Sequence, residues 1–151
     1  MPLPAVGTEA PDFTLASTGG EVSLAAHRGS NVLLAFFPLA FTRVCTAEMC
    51  AFSEDYDRFR DTGTVVLPIS VDSVPTLKEF KAKERIRIEL LSDFKREVCR
   101  TYGTLLEDKF LSKRAYVLID RAGVVRWTHE EVESGQRRDN AALLEQIKAI
   151  N

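Results

Sequence analysis

Cys45 is the residue whose type and position best suit covalent chemistry. It follows a buried β-like run, Val32–Phe37, which stops at Pro38, and it lies three residues after Thr42, where a helix is predicted to begin. Proline suits a strand end because it cannot donate a ladder hydrogen bond, and threonine suits an N-cap because its hydroxyl accepts from a helix amide. A thiol in the first turn of a helix feels the positive end of the helix dipole, which favours the nucleophilic thiolate.

The alternative for Cys45 is an inert core thiol, which is the commoner state of a single cysteine. Its position at a strand–helix corner argues for reactivity, as do apolar neighbours at Phe36, Phe37, Phe41 and Phe52. Thiols in such surroundings act as nucleophiles. The sequence therefore indicates a nucleophilic Cys45.

Length and composition describe one globular domain, expected to span residues 1–151. The chain is 45% hydrophobic and 28% charged, with a net charge of −2, which gives no electrostatic reason to bind nucleic acid or an anionic membrane. The longest apolar run, Val32 to Phe41, is shorter than the roughly 20 residues that a spanning helix needs. Three irregularly spaced cysteines and an N-terminus unlike a signal peptide favour the cytoplasm. With no zinc-ligand spacing and no Gly-x-Gly-x-x-Gly motif, we expect neither a metal nor a cofactor.

Strands and helices alternate along the predicted chain, and this order favours a thioredoxin-like α/β fold. We expect a central mixed sheet, an N-terminal β-hairpin and flanking helices. Pro68 is expected to bulge its strand or to place it toward an edge. The predicted elements are a hairpin turning at Gly19-Gly20, a strand over Val32–Phe37, a helix over Thr42–Arg60, a strand over Thr64–Val71, a helix over Thr76–Glu84, a strand over Ile88–Leu91, a helix ending at Gly103, a hairpin of Arg114–Asp120 and Val124–His129, and a helix over Arg138–Ile150.

A family resemblance rests on the same residues. Pro38, Thr42 and Cys45 stand in the spacing Pro-x-x-x-Thr-x-x-Cys, which resembles the active-site loop of the peroxiredoxins. The string Phe36–Thr42 is very close to the one-Cys alkyl hydroperoxide reductase E type. Cys-Thr-x-Glu-x-Cys, at residues 45–50, is similar to the bacterioferritin-comigratory, or Q-type, branch. The resemblance extends over nearly the whole chain and implies a thiol-dependent peroxidase that reduces hydrogen peroxide and organic hydroperoxides.

The resemblance also implies roles around Cys45, whose attack on a peroxide would give a sulfenic acid. Thr42 would accept from the peroxide or donate to the thiolate, and Pro38 would shield the sulfur from water. Arg114 matches an arginine that fixes the thiolate in that family; the alternative is an exposed hairpin arginine. Glu48 matches a glutamate common in the family, which could pair with an active-site arginine or simply suit the first turn of a helix.

Cys50 decides how the sulfenic acid would be resolved. Positions five apart in a regular helix lie roughly 8.6 Å apart between Cα atoms, and a disulfide needs less than about 7 Å. A Cys45–Cys50 bond would therefore require the first turns to unwind. The Q-type branch works in this way, and thioredoxin or a similar thiol reductant would then recycle the enzyme. The alternatives are a one-Cys enzyme resolved by an external thiol and a resolving role for Cys99, which we expect to be a core residue.

Two further functions share the same nucleophile. A thiol–disulfide oxidoreductase typically uses Cys-x-x-Cys, which is absent here because Cys45 and Cys50 are five positions apart. A non-catalytic peroxide sensor would share Cys45 and Arg114, and a slow second-order rate with peroxide would favour it. The two peroxiredoxin branches contain monomers and dimers, so a monomer and a homodimer both remain open.

Overall fold

The most apolar run of the chain forms the centre of the sheet. The computed structural model describes residues 2–133 and 136–151. Strand β3 covers Asn31–Phe36, and all six of its residues are buried because the strand has neighbours on both sides and a packed layer on each face. Its side chains alternate between two core clusters, with Leu33 and Ala35 in one and Leu34 and Phe36 in the other.

The other elements surround β3 in a mixed seven-stranded sheet and a separate two-stranded one. The strands are β1 (Thr14–Ser17), β2 (Gly20–Ser23), β4 (Thr64–Ser70), β5 (Leu91–Ser92), β6 (Leu105–Leu106), β7 (Leu111–Ser112), β8 (Ala115–Ile119) and β9 (Val125–Glu130), and the helices are α1 (Arg43–Glu54), α2 (Tyr56–Asp61), α3 (Val74–Glu84), α4 (Glu97–Thr101) and α5 (Asn140–Ile150), with a 3-10 turn at Ala25–His27. The large sheet has the order β2-β1-β5-β4-β3-β8-β9. Parallel pairs join β3 to β4 and β4 to β5, and the remaining pairs are antiparallel.

Helices cover both faces of the sheet. Helices α1, α2, α3 and α5 contribute to one core cluster, through side chains such as Phe52, Phe59, Phe80 and Leu143. Helix α4 and the N-terminal segment contribute to the other. The predicted α/β fold with a mixed sheet, an N-terminal hairpin and flanking helices is confirmed. No helix within the described ranges is long and apolar enough to cross a bilayer.

The helix predicted over Thr42–Arg60 is two helices, because the chain breaks at Asp55. The Asp55 backbone has φ −96° and ψ 16°, outside the helical range. The side-chain amide of Asn140 donates to Ala51 O and to Asp55 Oδ2, at 2.9 Å in each case. The Asp55 N–H still donates to Ala51 O at 3.1 Å, so Asn140 shares that carbonyl and contacts the chain at the break without displacing the helical hydrogen bond. This partner comes from α5, so the local sequence gives no sign of the contact.

Two predicted strands also differ in detail. The strand expected over Ile88–Leu91 is only Leu91–Ser92. Leu90 bonds instead to Thr18 in the hairpin turn, through both its N–H and its C=O. Pro68 does not bulge β4, since it pairs in regular register with Ala35 of β3, and β4 is an inner strand of the sheet, between β3 and β5. The pairing of β4 with β5 starts one residue later, at Ile69, so the missing N–H of Pro68 interrupts no ladder there.

Candidate active site

Cys45 is the third residue of α1, and its side chain is 1% exposed. The first bond of the helical ladder runs from Thr46 N to Thr42 O at 2.9 Å. The amides of Val44 and Cys45 therefore precede the ladder and point toward the start of the helix. The predicted place of the thiol, in a first helical turn after a buried strand, is confirmed.

Arg114 lies against the thiol. Its Nη2 donates to Cys45 Sγ at 2.9 Å, and its Nη1 donates to Glu48 Oε1 at 2.7 Å. The antiparallel pair of Phe36 with Ala115 brings the start of β8 beside the end of β3, from which the chain leads to Cys45. Arg114 is 1% exposed, so it is not the exposed hairpin arginine of the alternative interpretation.

Glu48 pairs with that arginine inside the protein. Its carboxyl, 1% exposed, accepts from Arg114 on Oε1 and from the Tyr116 hydroxyl on Oε2. Burial raises the pKa of Glu48 above its ordinary value, although the charge of Arg114 and the two hydrogen bonds act against that rise. Burial alone would lower the pKa of Arg114, but Glu48 and Cys45 outweigh it and the pKa is raised. The arginine is therefore a fixed cation shared by a thiol and a carboxylate.

Tyr116 belongs to this cluster, and the sequence reasoning missed it. It stands two residues after Arg114, which directly precedes β8, and in extended backbone this spacing places both side chains on the same face. Its hydroxyl donates to Glu48 and accepts from the backbone N–H of Arg138 at 3.0 Å. Burial raises the pKa of the Tyr116 hydroxyl, so it keeps its proton at any physiological pH. The signal available was the period of two in a strand that begins with the predicted arginine.

Thr42 occupies the N-cap of α1, but it does not cap the helix with its hydroxyl as predicted. The hydroxyl donates to Leu39 O at 2.7 Å and makes no capping bond to α1. Phe41, which directly precedes Thr42, has φ 65°, a left-handed conformation that turns the chain sharply and lets the hydroxyl reach that carbonyl. The single hydroxyl proton is thus used within the loop, and the oxygen keeps its lone pairs as acceptors.

The loop between β3 and α1 is anchored at both ends. Phe37 N donates to Ile69 O at 2.9 Å, which continues the β3–β4 ladder up to the half-buried Pro38. Ala40 N donates to Asp72 Oδ2 at 2.8 Å, and the same oxygen accepts from Ser70 Oγ at 2.7 Å. The sequence did not predict a role for Asp72. Because β3 and β4 are parallel, Asp72 after β4 lies at the same end of the pair as Pro38 after β3.

The other two cysteines have different surroundings. All three thiols are free, and Cys50 lies with Cys45 in the continuous helix α1. Burial raises the pKa of the half-buried Cys50 thiol, and so do the charges of Glu84 and Glu54. Cys99 is fully buried in the cluster on the opposite face of the sheet, where burial and Asp93 raise its pKa to about 12. Within residues 2–133 and 136–151, no three His, Cys, Asp or Glu side chains are grouped as a metal site.

Comparison with known proteins identifies the family. The model of the AhpC/TSA family matches residues 6–128. The chain belongs to the AhpC/TSA family. It is 35% identical over 149 residues to alkyl hydroperoxide reductase E of Mycobacterium tuberculosis strain H37Rv, covering 96% of this chain and 97% of that protein. It is also 35% identical over 153 residues to peroxiredoxin-2 of Mus musculus, covering 93% of this chain and 77% of the relative.

A solved structure agrees with this family assignment. The reduced 2-Cys peroxiredoxin of Plasmodium vivax superimposes with a TM-score of 0.90 and 35% identity, over 97% of this chain and 82% of that one. The peroxiredoxin resemblance is confirmed, and with it the thioredoxin-like fold and the activity of a thiol-dependent peroxidase. A thiol–disulfide oxidoreductase, the other enzyme class considered, is not what the family indicates.

Proposed function

We propose that this AhpC/TSA family member reduces hydrogen peroxide and organic hydroperoxides by attack of the Cys45 thiolate. The observation that carries the proposal is the 2.9 Å contact between Arg114 Nη2 and Cys45 Sγ in a site where both side chains are 1% exposed. A charge-assisted hydrogen bond in a low-dielectric site favours the ionised sulfur. The thiolate is the form that attacks an O–O bond.

In the proposed step, the Cys45 sulfur forms a bond to one peroxide oxygen while the O–O bond breaks. The sulfur is oxidised to a sulfenic acid, and the peroxide is reduced to water or an alcohol once the leaving oxygen has taken up a proton. The Thr42 oxygen accepts from the O–H of the incoming peroxide, because the Thr42 hydroxyl already donates its hydrogen bond to Leu39 O. Arg114 and the amides of Val44 and Cys45 donate to the oxygens where negative charge develops. Pro38, half-buried at the strand end, shields the sulfur from water.

Resolution by Cys50 is the second half of the proposal. The Cys50 sulfur attacks the Cys45 sulfenic sulfur, an S–S bond forms and water leaves. Because both residues lie in α1, this step needs the first turns of the helix to unwind. The raised pKa of Cys50 keeps it a thiol while the helix is intact, and unwinding removes the burial that raises it. Thioredoxin or a similar thiol reductant then reduces the disulfide.

We place this cycle in the cytoplasm, in a single-domain protein that is a monomer or a homodimer. Three free cysteines suit a reducing compartment, where small dithiol reductants are available. A one-Cys cycle with an external thiol is the outcome to expect if Cys50 takes no part.

Steady-state turnover of three variants tests the proposal. C45S should abolish reduction of both hydrogen peroxide and an organic hydroperoxide. C50S should lose turnover with thioredoxin but still consume one equivalent of peroxide. C99S is the matched control, since Cys99 lies on the opposite face of the sheet, and it should behave as wild type. Full activity of C45S would contradict the proposal, and full thioredoxin-linked turnover of C50S would contradict the resolving step.

A further inference from the structure

Tyr116 is a buried side chain of the site, and no step of the proposed peroxidase cycle uses it. Its ring is fully buried and lies 6.4 Å from that of Trp127, between centroids. Its oxygen accepts from the backbone N–H of Arg138 at 3.0 Å. A phenol has one proton to donate, so this bond fixes its direction, and the proton goes to Glu48 Oε2.

The hydrogen-bond donors around Glu48 favour its ionised form. Both of its oxygens accept, one from Arg114 and the other from Tyr116, which is the pattern of a carboxylate. Burial raises the pKa of Glu48, and the charge of Arg114 and the bond from Tyr116 oppose that rise. Among the described residues, the charged and titratable groups that act on Glu48 or share its hydrogen bonds are Cys45 on its own helix, Arg114 and Tyr116 on the β8 side, and Arg137 ahead of α5.

We propose that Tyr116 is a positioning residue for the chemistry of Cys45, an inference that rests on the proposed function. By donating to Glu48, the hydroxyl keeps the carboxylate charged and oriented, and the carboxylate holds Nη1 of Arg114. The guanidinium is a rigid plane, so holding Nη1 also directs Nη2 toward the sulfur. Among the described residues, the Tyr116 hydroxyl bonds to Glu48 and to the N–H of Arg138, so it acts on the sulfur through Glu48 and Arg114.

The test is the second-order rate constant for oxidation of Cys45 by hydrogen peroxide in Y116F, measured across pH. At neutral pH we expect a loss of about tenfold, the size of one hydrogen bond to a charged group. Removing a donor from the ionised form raises the pKa of Glu48 further, so the carboxyl takes up a proton more easily as pH falls and releases Arg114. The ratio of wild-type to Y116F rates should therefore be larger at about pH 5.5 than at about pH 8.

Two further variants separate positioning from a general loss of packing. In E48Q the side chain at position 48 is uncharged at every pH. Adding Y116F to E48Q should therefore change the rate of the E48Q protein by less than about twofold, and by the same factor at every pH. Y102F is the matched control: Tyr102 is 1% exposed and its hydroxyl donates to Pro11 O, but it lies in the core cluster on the other face. Y102F should lose comparable stability to urea and react as wild type.

The outcomes distinguish this inference from the function on which it rests. A loss in Y116F that is independent of pH, or that persists in full in the E48Q background, would overturn the positioning role, and so would an unchanged rate. A wild-type protein whose Cys45 does not react with peroxide would instead overturn the proposed function. Y116M, which also lacks the hydroxyl, carries the same expectations should Y116F fail to fold.

Discussion

Replacing Arg114 by methionine should affect stability and reactivity by separate routes. Methionine keeps much of the length of the side chain but leaves Glu48 buried, 1% exposed, without its cation. Breaking a buried ion pair in this way costs about 3–5 kcal/mol of the free energy of unfolding. The thiolate loses one charge-assisted hydrogen bond, about 1.5–3 kcal/mol, which corresponds to a rate of peroxide reaction roughly tenfold to a hundredfold lower.

The pH dependence identifies Glu48 as the source of the stability loss. In R114M the pKa of Glu48 in the folded state is raised by burial with no arginine to oppose it. A folded-state pKa above the unfolded value destabilises the protein at high pH, where the folded carboxylate must be charged, and this effect fades as pH falls through the folded pKa. Urea unfolding should therefore show a deficit that is larger at about pH 8 than at about pH 5.

A second substitution completes the experiment. E48Q in the R114M background removes the stranded charge, so stability should recover by a few kcal/mol while the rate with peroxide stays low. Urea titrations and stopped-flow oxidation of the double variant measure the two quantities. A wild-type rate in R114M would refute the role of the arginine. A stability deficit that is unchanged by pH and by E48Q would refute the charge argument.

Two other predictions concern residues around the site. Cys99 is fully buried with a pKa of about 12. A thiol reagent at about pH 8 should therefore label Cys50 in the folded protein and reach Cys99 only through unfolding. Equal labelling rates for the two thiols would contradict this prediction. D72A removes the acceptor of Ala40 N–H, which should cost about 1–3 kcal/mol of stability and slow peroxide reduction by loosening the loop that carries Pro38 and Thr42. D120A is its control, because Asp120 accepts from the amides of Ala122 and Val124 in the turn after β8, at the opposite end of that strand from Arg114. D120A should lose stability and keep its rate, and an equal slowing in both variants would contradict a specific role for Asp72.

The sequence alone was sufficient for the parts of the site that depend on local pattern. A buried run ending at Pro38, followed by a helix start, places Cys45 in a first helical turn, and the structure has it there. Arg114 is 69 positions away from Cys45, and only the family resemblance linked the two. That contact depends on the register of β3 against β8, which periodicity does not determine.

What the sequence did not reveal depends on side chains from distant elements. At the break at Asp55, the chain is held by Asn140, which is 85 positions away in the sequence. Tyr116 reads as an ordinary core residue in an apolar strand, and its role emerges only when Glu48 is opposite it. The residue type of Thr42 predicts a capping side chain. The turn at Phe41 instead brings Leu39 O within reach of the Thr42 hydroxyl, which donates to it.

The central claim, that Cys45 attacks the peroxide and Cys50 resolves the product, is tested most directly by adding one equivalent of hydrogen peroxide to the fully reduced protein. A free-thiol count and an intact mass then report the product. We predict that two thiols disappear and the mass falls by two hydrogens, and that in C50S one thiol disappears and the mass rises by at least one oxygen, at Cys45. A wild-type protein that only gains oxygen would contradict resolution by Cys50, and one that keeps all three thiols would contradict the attack itself.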